Sequence, residues 1–64
     1  MQKLLRLKQV MAETGLSRSY VYALSKDGKF PKPVKLSEKS VAWIESEIKE
    51  WIDQKIIDRN QGLA

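Results

Sequence analysis

The chain has sixty-four residues, with twelve Lys/Arg against eight Asp/Glu and neither cysteine nor histidine. This length suits one domain near the lower limit for a self-sufficient apolar core, and the missing Cys and His exclude disulfide staples and the common zinc constellations. Packing or self-association must then stabilise the fold.

The opening segment Met1-Gln-Lys-Leu-Leu-Arg-Leu-Lys8 has an apolar run too short and too charged for a signal peptide, and nothing later approaches the ~20 apolar residues of a membrane span. A cytoplasmic protein without a membrane partner is expected. Leu4, Leu7, Val10 and Met11 share one face of a helix that runs from about Leu7 to Thr14. Gly15 ends it, because glycine reaches positive φ without a Cβ clash. Leu16 turns back to the core, and Ser17 has the hydroxyl of a preferred N-cap, so a second helix starts at Ser17 or Arg18.

Val21 and Leu24, with Tyr20 as a core aromatic, form the buried edge of that second helix. Arg18, Ser19, Tyr22, Ala23 and Lys26 fall on the other side, since positions 18, 22 and 26 are successive i, i+4 neighbours. Gly28 suits the position just past the helix end. Phe30-Pro31-Lys32-Pro33 cannot continue a helix, because proline lacks an N–H and restricts the residue before it. Two short strands follow, Val34-Lys35-Leu36 and Val41-Ala42-Trp43, joined by a four-residue loop, Ser37 to Ser40. A hairpin this small must pack on the helices. Ser46 is placed to cap a third helix that begins at Glu47 and runs to about Arg59. Its apolar side comprises Ile44, Ile48, Trp51, Ile52 and Ile56; Trp43 and Trp51 are expected in the core, and Ile57 is the best candidate for an exposed contact. The expected domain spans residues 1–59, with residues 60–64 a flexible tail.

The fold class expected is mainly α with a small β-hairpin: a winged helix-turn-helix of three helices and a two-stranded wing. A glycine at 15, an apolar residue at 16, and apolar residues at 21 and 24 match helix-turn-helix spacing. A plain helical hairpin is the alternative on that spacing alone. The outer face of the second helix tips the balance toward the first reading, and the charge distribution fits it, although ordinary solvating lysines are the plainer account of the charge alone. Residues 1–40 hold nine cations (Lys3, Arg6, Lys8, Arg18, Lys26, Lys29, Lys32, Lys35 and Lys39) against Glu13, Asp27 and Glu38, whereas residues 41–64 hold Lys49, Lys55 and Arg59 against five carboxylates. Positive potential thus gathers where a phosphate-facing surface requires it.

On the outer face of the second helix, Arg18 can fork onto guanine O6 and N7 or onto a phosphate. The Ser17 and Ser19 hydroxyls suit phosphate oxygens at a helix N-terminus. Tyr22 offers a phenol to a phosphate and a ring to a sugar or thymine methyl, and Lys26 a backbone contact. Lys35 and Lys39 flank the wing tip, where they can follow the backbone or enter the minor groove. Each also has a plainer reading, as a solvated surface charge or as protection for an edge strand.

No catalytic site is expected: the glycines at 15, 28 and 62 form no phosphate-cradling loop. A pair such as Glu47 with Glu50 sits on a polar face with no pocket to shift a pKa. No cofactor or metal is implied.

With Leu4-Leu-Arg-Leu7, Thr14-Gly-Leu-Ser-Arg-Ser19, Phe30-Pro-Lys-Pro-Val-Lys-Leu36 and Val41-Ala-Trp43 in order, residues 4 to 55 resemble the AlpA family of prophage regulators, relatives of phage excisionases and of the MerR-type winged helix. The resemblance implies a nucleoid-associated, double-stranded-DNA-binding regulator of a prophage or integrative element that activates the integrase gene, directs excision, or does both. It places the recognition helix at Ser17 through Lys26 and the wing at Leu36 through Val41. Integrase, RNA polymerase and further copies of the chain on DNA are the partners that it suggests. Ala23 departs from the family pattern, where an arginine often follows the tyrosine. The competing reading is a protein-docking module that inhibits a regulator without binding DNA.

Overall fold

The computed structural model describes residues 1–62. Its elements run in the order β1 (Leu4–Leu5), α1 (Leu7–Thr14), α2 (Arg18–Lys26), β2 (Val34–Ser37), β3 (Ser40–Ile44) and α3 (Glu45–Asn60). Three helices and a small antiparallel sheet make the mainly helical, winged helix-turn-helix class expected. Val10, Val21, Trp43 and Ile48 are sealed from solvent, with Leu5 and Phe30 nearly so, and Leu7, Leu16, Leu24, Val41, Trp51 and Ile52 pack around them. One core therefore joins every element except the exposed strand β2.

The sheet has three strands in the order β1-β3-β2, not the two of the expected wing. Leu4 pairs with Ile44 and Leu5 with Trp43, so the Leu4-Leu5 pair is strand rather than a forerunner of α1. Leu5, not Leu4, enters the core. This correction has a long-range cause: the strand exists because β3 offers it hydrogen bonds, which a helical periodicity in residues 4–11 does not register.

The connection between β2 and β3 is a two-residue turn, Glu38-Lys39, shorter than the four-residue loop expected. Val34 pairs with Ala42, Lys35 with Val41 and Ser37 with Ser40, which leaves Leu36 as the extra residue of a β-bulge. The bulge lies on the outer strand, where a short, irregular edge discourages pairing with other chains.

Strand β3 runs straight into α3, which begins at Glu45 rather than Glu47. Ser46 lies inside the helix and caps nothing; Ile44 is the N-cap residue, without a side-chain bond. The Glu45 N–H donates to the Lys3 carbonyl at 2.8 Å, so the residue just before β1 satisfies one of the donors at the start of the helix. Glu45 and Glu47 lie in the first turn, where the helix dipole favours negative charge. Ile48 is buried and Trp51 and Ile52 half-buried, but Ile56, expected on the apolar stripe, is as exposed as Ile57, at 44% each. Asn60 ends the helix and Gln61-Gly62 form a turn; Leu63 and Ala64, the end of the expected 60–64 tail, lie outside the described residues.

No helix among the described residues is long and apolar enough to cross a membrane.

Candidate nucleic-acid interface

The turn between α1 and α2 fixes the placement of every outward side chain on α2. Gly15 adopts φ +74°, and its N–H donates to the Met11 carbonyl at 2.8 Å. Thr14 braces the same turn twice: its hydroxyl donates to the Val10 carbonyl at 2.8 Å and accepts from the Leu16 N–H at 3.2 Å. Ser17 then caps α2, its hydroxyl accepting from the Tyr20 N–H at 3.2 Å, as its residue type foretold. At the far end Gly28, also at φ +74°, closes a Schellman motif. Lys29 N–H bonds to the Leu24 carbonyl and Gly28 N–H to that of Ser25. A helix tied at both ends holds its outer face in a fixed orientation.

The inner face of α2 consists of Val21, Leu24 and Ser25. Tyr20 is not the core aromatic expected: it is 54% exposed, and the buried place falls to Ser25. The reason is a partner distant from α2. The Ser25 hydroxyl donates to the Pro31 carbonyl at 3.1 Å, so this small polar group is satisfied in the interior.

Arg18, Ser19, Tyr22, Ala23 and Lys26 are all exposed on the outer side. Tyr22 rests its ring against Trp43, centroids 5.9 Å apart and planes inclined by 59°. The Trp43 indole N–H donates to the Pro31 carbonyl at 3.0 Å. Tyr22 is thus held from beneath while 38% of it meets solvent.

Two hollows flank Tyr22. The first is lined by Arg6, Leu7 and Lys8 from the start of α1, Arg18 and Tyr22 from α2, and Lys39 and Val41 from the wing. The second is lined by Tyr22, Ser25 and Lys26 with Lys32 and Pro33. Lys35 stands opposite Val41 in the ladder, and paired residues share a sheet face, so Lys35 lies on the face of the wing that closes the first hollow. Ser17 and Ser19 lie exposed at the N-terminal end of α2. Arg18, Tyr22 and Lys39 therefore come together in one hollow, Lys26 joins Tyr22 in the other, and Ser17, Ser19 and Lys35 stand outside both linings.

Arg6, Lys8 and Lys32 are the contributors that site reasoning from sequence passed over. The signal for the first two was the Arg6-Leu7-Lys8 alternation at the start of α1, with one apolar residue turned inward and two cations left outside. Lys32 was framed by prolines, which marks a rigid connector as readily as a site. Among the described residues the ion pairs are Lys3 with Glu45 at 3.6 Å and Lys49 with Glu45 at 3.7 Å. None of the cations lining the two hollows is in an ion pair among the described residues, although Lys32 also borders a hollow lined by Glu47 and Glu50. No group of described His, Cys, Asp or Glu residues is arranged to hold a metal ion.

Residues 3–56 match the family described as prophage CP4-57 regulatory protein (AlpA). The chain belongs to the AlpA family of prophage regulators. The AlpA match runs from β1 through most of α3 and includes every residue that lines the two hollows. Two relatives carry the likeness across nearly the whole chain. An uncharacterised protein, ORF88, of Enterobacteria phage P4 is 43% identical over 61 residues, covering 95% of this chain and 69% of its own. The DNA-binding transcriptional activator AlpA of Escherichia coli is 41% identical over 59 residues, covering 83% of this chain and 84% of its own. The AlpA family is one of regulators rather than of enzymes.

Proposed function

We propose that this AlpA-family chain is a sequence-specific binder of double-stranded DNA that regulates the prophage or integrative element encoding it. The observation that carries the proposal is the first hollow. Arg6, Lys8, Arg18 and Lys39, drawn from α1, α2 and the wing, converge there beside the outward ring of Tyr22, with no carboxylate partner among the described residues. In this reading α2 enters the major groove. Arg18 reads a guanine or grips a phosphate, Tyr22 meets sugar or thymine methyl, Ser17 and Ser19 donate to phosphate oxygens, and Lys26, Lys35 and Lys39 hold the backbone. Ser17 has its hydroxyl proton free for this purpose, since its cap bond uses only a lone pair.

The regulatory output follows from where the chain binds. Occupation of the integrase promoter activates transcription, with the exposed Ile56 and Ile57 of α3 offering a surface to RNA polymerase; occupation of neighbouring sites at the attachment region, with contacts between copies and to integrase, directs excision. The chain acts, in either case, on the element's DNA in the nucleoid.

The test is a gel-shift titration over DNA flanking the attachment site and the integrase promoter, at two salt concentrations and with excess competitor. A selective, salt-sensitive shift is expected, and its position separates promoter control from excision. The absence of any shift above competitor overturns DNA binding and favours the protein-docking reading.

A further inference from the structure

The two hollows lie at opposite ends of one helix. Arg18, Tyr22 and Lys26 share a face of α2, with Arg18 at the N-terminal end lining the first hollow, Lys26 at the C-terminal end lining the second, and Tyr22 between them lining both. The eight steps from Arg18 to Lys26 rise about 12 Å at 1.5 Å per residue, close to the ~12 Å width of a B-DNA major groove. A phosphate backbone runs along each rim of that groove. The second hollow has its own cation from outside the helix, Lys32, and a rigid mount for it. Proline fixes φ on both sides of Lys32. The Pro31 carbonyl directly before it accepts from both the Ser25 hydroxyl and the Trp43 indole. The backbone of Lys32 is thus held against the end of α2, while its exposed side chain borders the second hollow and also one lined by Glu47 and Glu50, with no ion pair to a described carboxylate.

We propose that Lys32 is a DNA-phosphate anchor that works with Lys26 on one strand, while Arg6, Lys8, Arg18 and Lys39 hold the other strand, so that α2 lies across a single major groove with Tyr22 at its centre. This rests on the DNA-binding reading above and adds to it the orientation of the helix and a contact residue outside the helix-turn-helix and the wing. The two hollows then have separable duties, because each neutralises phosphates on a different strand.

The experiment uses the full chain and a duplex that it selects from a random-sequence pool. Binding is followed across a salt series, and phosphate-ethylation interference maps the essential phosphates on each strand. Wild type is expected to show two clusters of essential phosphates, one on each strand, facing each other across one major groove. Lys32→Ala is expected to keep the wild-type melting curve, to reduce the log–log salt slope by about 0.9, and to weaken interference in one cluster only; Lys39→Ala weakens it in the other. If no duplex is selected, or selected binding is insensitive to salt, the DNA-binding reading itself fails. If wild type binds selectively but Lys32→Ala keeps the full slope and both clusters, or weakens both clusters equally, DNA binding stands and the two-strand assignment is overturned.

Discussion

Ser25 and Trp43 share one hydrogen-bond acceptor: the serine hydroxyl and the indole N–H both donate to the Pro31 carbonyl, at 3.1 and 3.0 Å. One oxygen thereby joins the inner face of α2, the proline connector and β3. The shared acceptor predicts unequal costs for the two donors. Ser25→Ala leaves the Pro31 carbonyl still bonded to Trp43 and costs about 0.5–1.5 kcal/mol. Trp43→Phe removes a donor and core volume together, withdraws the support under Tyr22, and costs about 1–3 kcal/mol. Urea denaturation of the two variants gives the order; a Trp43→Phe variant as stable as wild type contradicts it.

Gly15 predicts a graded response that tests the turn. A Cβ added there meets nothing within 4 Å, so the penalty is conformational rather than a clash. At φ +74° asparagine is tolerated best, alanine less, and a β-branched residue least. Gly15→Asn is expected to melt close to wild type and Gly15→Val to lose about 1–3 kcal/mol. Equal melting temperatures for the Asn and Val variants show that the left-handed conformation is not what the position requires.

Ser17 separates capping from DNA contact. Aspartate caps as well as serine but places a negative charge against phosphate. Ser17→Ala is expected to cost about 1 kcal/mol of stability. Ser17→Asp is expected to restore that stability and to bind DNA more weakly than Ser17→Ala. The paired melting and anisotropy measurements make the distinction, and tighter binding by the aspartate variant removes Ser17 from the phosphate-facing surface.

Arg18 is exposed and contributes nothing to the core, so its loss is expected to register in binding alone. Arg18→Ala is expected to reduce specific affinity by about 1–3 kcal/mol with an unchanged thermal transition. Relaxed discrimination among duplexes marks a base contact; a uniform loss marks a phosphate contact. Unchanged affinity takes Arg18 off the reading surface.

The helix-turn-helix was legible because its signals are local. Gly15, the Ser17 cap and the proline pair at 31 and 33 act on the backbone within a few residues, and α1 and α2 fall where those residues direct. The errors arose wherever a distant partner decides the outcome. Leu4-Leu5 is strand because Trp43 and Ile44 receive it; α3 begins early because Lys3 supplies a carbonyl; Ser25 is buried because Pro31 offers its hydroxyl an acceptor. The site shows the same division. Arg18, Tyr22 and Lys26 could be grouped from helical spacing, whereas Arg6, Lys8 and Lys32 join them only through the crossing of α1 with α2 and the path of the connector, which no spacing within one element encodes.

The burial of Trp43 beneath Tyr22 also gives the protein two unlike chromophores. Trp43 is wholly enclosed, while Trp51 is half-exposed, edge-on to Phe30 with the Lys55 ammonium 5.3 Å from its ring. An aqueous quencher such as iodide reaches Trp51 far more readily and leaves the emission of Trp43. That residual emission comes from the indole in contact with Tyr22, so docking of α2 on a ligand can be followed optically without an attached label.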